Sequence, residues 1–236
     1  MALPSSIPVA RASETDRVAY LRRVLGITFL GLSTASVTGA MSAAVIAMFP
    51  AMLSGFAPMV VILGAWAVSN YVAQPMVFGS ARWPGFFLGT IAQGVAMGFL
   101  LLMAVIVSSA YLGNAFMLIF LAMGLTFFSG VGMVAYVWSI KRNFSLIGAG
   151  LSAMSIPMLI LMAVSFAFPA LFGGTAGIVL SAVFVVISAA GLVYQLNRVV
   201  HDFTTDMDVE GAYTVTMGLL VLFWNILSLL MRLTRR

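Results

Sequence analysis

The residues with most capacity for chemistry crowd into one stretch, His201-Asp202-Phe203-Thr204-Thr205-Asp206-Met207-Asp208-Val209-Glu210. It holds four of the chain's six acids and its only histidine. Carboxylate oxygens at this density would attract calcium or another hard cation. The spacing does not fit an EF-hand loop, which needs glycine at its sixth place and a bidentate glutamate at its twelfth. The stretch therefore reads as a solvated polar loop from Arg198 to Glu210. Its field would draw cations to a pore mouth, and no metal site is expected in it. His201 has the side chain that titrates nearest neutral pH, although an ordinary interfacial histidine is the plainer reading. A second set of polar residues is uncharged: Asn70, Gln74, Gln93, Gln195, Asn197 and Asn225 lie in or beside long apolar runs. Amides so placed usually hydrogen-bond between helices.

The signatures of enzymes are missing. The sequence has no HExxH, no phosphate loop and no GxSxG, and one histidine cannot furnish most catalytic arrangements. It has no cysteine, which excludes disulfides, thiol catalysis, Cys-type zinc sites and iron–sulfur clusters. Gly130-Val131-Gly132 follows no strand and is no dinucleotide fingerprint. Neither an enzyme nor a cofactor is expected. The net charge of +5 comes from basic residues at the ends of apolar runs, a pattern of membrane topology and not of nucleic-acid binding. The acceptor sequence Asn143-Phe144-Ser145 falls on the side where glycosylation is not expected.

The elements that must position these residues are membrane helices. The chain is 63% hydrophobic and 7% charged, against about 25% charged in a soluble domain. Too few charges remain to make a water-facing surface, so lipid must cover most of it. The expected fold is all-α, a seven-helix transmembrane bundle over 24–236 behind a polar tail, 1–23. Apolar runs cover 24–49, 52–78, 86–107, 115–140, 144–168 (with Pro157 as a kink), 175–197 and 213–233. Each is long enough to cross about 30 Å of hydrocarbon and too continuous for a barrel strand. No internal repeat points to an inverted-repeat transporter. The first run exceeds the apolar core of a signal peptide and is expected to be retained. Glu14 and Asp16 make the tail a poor mitochondrial transit peptide.

Arg11, Arg17, Arg22, Arg23, Arg82, Lys141, Arg142 and Arg198 fall on one side of a seven-span arrangement. This places the N-terminus in the cytoplasm, with a bacterial inner membrane as the expected location. Arg232, Arg235 and Arg236 conflict with the rule, unless the last segment fails to cross. Every acid lies in the tail or the last loop, so the spans lack the carboxylates that proton-driven transporters place in the membrane. Gly85 with Gly89, Gly94 with Gly98, and Gly173 with Gly177 have the small-xxx-small spacing that lets helices approach closely, within one protomer or between two.

Three segments resemble the Bax inhibitor-1 family. Tyr194-Gln195-Leu196-Asn197-Arg198 through His201 is similar to the end of that family's sixth helix. Leu219 to Leu233, with Phe223, Asn225, Leu227 and Arg232, is similar to its closing helix. Ala135 to Leu146, with Lys141-Arg142 and Phe144-Ser145, is similar to its basic connection. The resemblance implies seven helices and a passive, pH-sensitive leak of cations, calcium in particular, gated by two aspartates that share a proton. Coupled carboxylates are a workable pH latch. This chain departs at both places: Gln195 and Leu222 stand where the aspartates are expected. The expectation is thus a cation leak or a role in ion homeostasis, with altered or absent pH gating, its polar core formed by Gln195, Asn197, Asn225 and Leu222. The alternative is a non-conducting accessory subunit of a larger membrane complex, or a modulator of a membrane protease.

Overall fold

In hydrocarbon the backbone finds no water, so each segment must satisfy its own N–H and C=O groups. The structure is a computed structural model that describes residues 7–139, 148 and 174–235. Among these residues the elements are all helices. We number the long ones α1 (Glu14–Met48), α2 (Ala57–Val77), α3 (Arg82–Leu112), α4 (Met117–Ser139), α5 (Gly174–His201) and α6 (Asp208–Thr234). All six are long and apolar enough to cross a membrane. The fifth apolar run expected from the sequence, 144–168 with Pro157, and Gly173 lie outside the described residues.

The ends follow local chemistry more than apolarity. Ser13 caps α1 by accepting a hydrogen bond from the Asp16 amide at 3.2 Å, and Glu14 and Asp16 sit in the first turn, where the helix dipole favours acids. The helix therefore starts ten residues before the apolar run. With 35 residues it rises about 52 Å, well beyond about 30 Å of hydrocarbon. Pro50 follows its end and opens a short 3-10 turn, Pro50–Leu53. Within α2 the turn Val68–Ala73 is π-helical. It leads into Pro75, whose ring would clash with the carbonyl four residues back in a regular helix. Gly113, at φ +67°, ends α3 in the left-handed region that favours glycine.

One boundary corrects the sequence reading. Helix α5 runs on to His201, and α6 begins at Asp208, whose carboxylate accepts the Val209 amide at 2.9 Å. Asp208 and Glu210 thus belong to the first turn of a helix and not to a solvated loop, which shrinks to residues 202–207. Apolarity begins near Tyr213, but acids in a first turn are themselves a helix-start signal.

Ion pairs join the starts of α1, α3 and α6 at one end of the bundle: Arg23 to Asp208 at 3.2 Å and Arg82 to Glu210 at 3.0 Å. A narrow cleft lined by Val24, Val137, Val199 and Val215 brings the finishing turns of α4 and α5 to the same end. Helix α6 then runs its full 27 residues to Arg232 and Arg235. Its basic end lies opposite the N-terminus, and the sequence conflict is not removed by a short last helix.

Large apolar side chains cover the outside of the bundle as well as its core. Phe29, Phe120 and Phe128 point outward, while glycines line the contacts between helices. A Cβ on Gly94 would collide with Thr38 Oγ1 and lie 2.7 Å from the Ala35 carbonyl oxygen; one on Gly98 would lie 2.8 Å from the Ala43 nitrogen. Both glycines lay α3 against α1. Gly85 meets the end of α2, with Val77 N at 2.7 Å from such a Cβ, and Gly89 meets the Tyr213 ring of α6 at 2.6 Å. These spacings serve contacts within one chain, where small residues let backbones approach.

Candidate functional site

The site is the α5–α6 hairpin and the charged end that anchors it. Gln195 projects from α5 onto Gly218 of α6, where an added Cβ would collide with Gln195 Oε1 and lie 2.9 Å from Leu192 Cδ1. Only glycine leaves room for the amide. The buried Oε1 atom has no hydrogen-bond partner, so the acceptor faces a glycine and not a donor. Leu222 lies one turn beyond Gly218 on the same helical face and is 1% exposed. Of the two positions where the family resemblance expects aspartates, one holds an amide that rests on Gly218 and the other, one turn along α6 from that glycine, holds a buried alkyl group.

The other amides behave differently. Asn197 is fully buried. Asn225 donates through Nδ2 to the Val221 carbonyl of its own helix at 3.0 Å. It fills a lone pair one turn back on its own helix. Asn70 likewise donates to Trp66 O, at 2.8 Å. Of the two clefts described, the larger, about 360 Å³, runs between α1, α2 and α3 past Thr38, Ser42 and Phe99; neither is lined by Gln195 or Asn225.

The acidic cluster is matched by arginines. Arg82 Nε meets Glu210 Oε1, and its Nη1 donates to the Asp206 carbonyl at 3.1 Å. Arg23 Nε meets Asp208, and its Nη2 donates to the Thr205 carbonyl at 2.9 Å. Arg198 lies 3.8 Å from Asp202 within α5 and its following residue, and 5.8 Å from the Phe203 ring centre. The residues expected to form a cation-attracting loop, His201, Asp202, Asp206, Asp208 and Glu210, lie here among arginines. Three of the four carboxylates have a guanidinium against them, and the fourth residue lends its carbonyl to one. Glu210 is 2% exposed, and its second oxygen, Oε2, has no hydrogen-bond partner. His201 Nδ1 stands 3.1 Å from the Asn197 carbonyl, so that nitrogen carries the proton. Among the described residues no three of His, Cys, Asp and Glu gather as a metal site.

Two tyrosines complete the anchorage, and sequence reasoning missed both. Tyr20 of α1 donates to the Met207 carbonyl at 3.3 Å and packs against Gly211, whose Cβ, if present, would lie 2.6 Å from the hydroxyl. Tyr213 donates to the Ser69 carbonyl at 2.9 Å. That carbonyl also accepts the Gln74 amide in the π-turn. The available signal was glycine at 211 and at 89, the two positions against which the Tyr20 and Tyr213 rings rest.

The chain matches the family described as inhibitor of apoptosis-promoting Bax1 over residues 17–235. No curated protein matches it. The family match takes in all six described helices, the glycine-lined contacts of α3 and the Gln195–Gly218 contact, and so extends far beyond the C-terminal segments that first suggested it. The chain belongs to the Bax inhibitor-1 family.

Proposed function

We propose that this protein is a passive cation leak, for calcium above all, across a bacterial inner membrane, without the di-acid pH latch. It acts as a non-enzymatic seven-helix bundle with its N-terminus in the cytoplasm. Family membership supports the ion-leak class. The observation that carries the altered gating is the seating of Gln195 on Gly218, one turn from Leu222. Neither side chain can exchange a proton, so this contact cannot answer to pH as two shared carboxylates would. Support for seven spans comes from direction: Ser139 ends α4 at the same end where His201 ends α5, while Gly174 starts α5 at the other. Support for the orientation comes from Arg11, Arg17, Arg22, Arg23, Arg82 and Arg198, which gather at the N-terminal end.

The test is calcium flux into liposomes holding the purified protein, from mildly acidic to mildly alkaline pH. A leak with a flat pH response is expected; flux equal to that of empty vesicles would remove the reading. In the double variant Gln195→Asp with Leu222→Asp, two carboxylates would stand at the expected positions, and the flux should become pH-dependent. One observation favours a second reading, the non-conducting accessory subunit of a larger membrane complex or protease. The Gln195 contact is closed by Gly218 and Leu192, and Leu222 is sealed in the core. Persistent co-purification of a partner in mild detergent, with no flux, would favour that reading.

A further inference from the structure

The segment before α1 does more than precede it. The Val9 amide donates to the Phe203 carbonyl at 2.9 Å, and the Thr205 amide donates to the Ile7 carbonyl at 3.2 Å. Pro8 and Thr204 thus face each other in an isolated antiparallel bridge. Proline loses nothing here, because the paired groups belong to its neighbours. Val9 is fully buried, in the same apolar cluster as Tyr20, Val199 and Phe203. The segment pairs with loop 202–207, which Arg23 and Arg82 also hold, through the Thr205 and Asp206 carbonyls.

The two grips differ in kind. The arginines stand on long helices. The N-terminal segment holds on by one buried side chain and two main-chain hydrogen bonds, against the entropy of ordering about five residues. Those opposing terms are similar in size, which is the balance of a segment that opens locally while the fold stays intact.

We propose that Ile7–Arg11 is a releasable strap, an intramolecular contact that holds the hairpin of α5 and α6 in its closed position. Docked, it fixes loop 202–207 and with it the first turn of α6. Released, it leaves the loop held by the arginines and by the Tyr20 bond to the Met207 carbonyl, and the start of α6 gains freedom. The strap operates whether or not the protein conducts ions.

The chain has no cysteine, so an engineered pair is unambiguous. Residues facing each other in a bridge of this type have Cα atoms about 4.5 Å apart, within disulfide range. The variant Pro8→Cys with Thr204→Cys therefore locks the strap when oxidised and frees it when reduced, in one folded sample. The readout is amide hydrogen exchange over residues 202–212. Exchange roughly tenfold slower in the oxidised than in the reduced protein is expected, with the middle of α3 unchanged. Val9→Asp should speed the same amides, and Val9→Ile should leave them as they were. Equal exchange in oxidised and reduced protein would overturn the strap. So would a rise across the whole chain in Val9→Asp, which would make Val9 a plain core residue.

Discussion

At the scale of single residues, Glu210 and Arg82 are partners of unequal position. The Glu210 side chain is 3% exposed and that of Arg82 is 42% exposed. Removing the arginine leaves a carboxylate buried with neither oxygen matched by a guanidinium, whereas Glu210→Gln leaves only a neutral amide. Arg82→Ala should therefore cost more than Glu210→Gln. The ceiling is the about 3–5 kcal/mol of a fully buried broken pair, reduced because Arg82 is partly in solvent. Adding Glu210→Gln to Arg82→Ala should restore part of the loss. Thermal unfolding in detergent, followed by tryptophan fluorescence, measures all three, and the ordering fails if Glu210→Gln proves the more damaging. The contact at Gly218 allows a second check. Gly218→Val should cost about 1–3 kcal/mol by overpacking, and Gln195→Ala should relieve some of it, with a coupling of about 0.5–3 kcal/mol. Strict additivity would mean that the amide does not rest there.

The residues of the site were legible as types and not as pairs. The sequence shows four acids together and arginines at the ends of apolar runs, and the topology rule already puts both on one side. It does not show which arginine meets which acid, because Arg23 and Asp208 are distant in sequence and meet only once α1 and α6 are packed. Gln195 and Leu222 stood out by their departure from a family pattern. Their common neighbour Gly218 carries no side chain that could draw notice.

At the scale of elements, apolarity located each described span but misjudged the ends, because capping and first-turn acids act outside the apolar run. Ser13 extends α1 backward, and Asp208 does the same for α6. The π-turn of α2 was hidden because Pro75 announces a distortion without its form. Tyr213→Phe should remove the bond to the Ser69 carbonyl, cost about 0.5–1.5 kcal/mol and speed hydrogen exchange in the π-turn. Unchanged exchange there would show that the turn persists without the hydroxyl. The glycines divide by surroundings. Gly26 and Gly124 have nothing within 4 Å of an added Cβ, so alanine there should be neutral or stabilise by up to about 1 kcal/mol. Alanine at Gly85, Gly89, Gly94 or Gly98 should destabilise.

At the scale of the whole molecule, the arrangement sets the two ends of the chain apart. A cysteine placed at Arg11 and one placed at Arg235 should react with a membrane-impermeant maleimide from opposite faces of the bilayer. Reaction of both from one face would contradict the described course of α6. Length has a further consequence. Because α1 rises about 52 Å, it exceeds about 30 Å of hydrocarbon, and the Arg23 and Asp208 side chains near its beginning are 51% and 26% exposed. Dissolved ions can crowd around that half-exposed pair and screen it over a Debye length of about 8 Å at physiological ionic strength, while Glu210, two residues further along α6, is sealed from them. The two latches on this one helical turn would then come apart in sequence as the medium becomes more saline: the outer would slacken first, and the inner would hold.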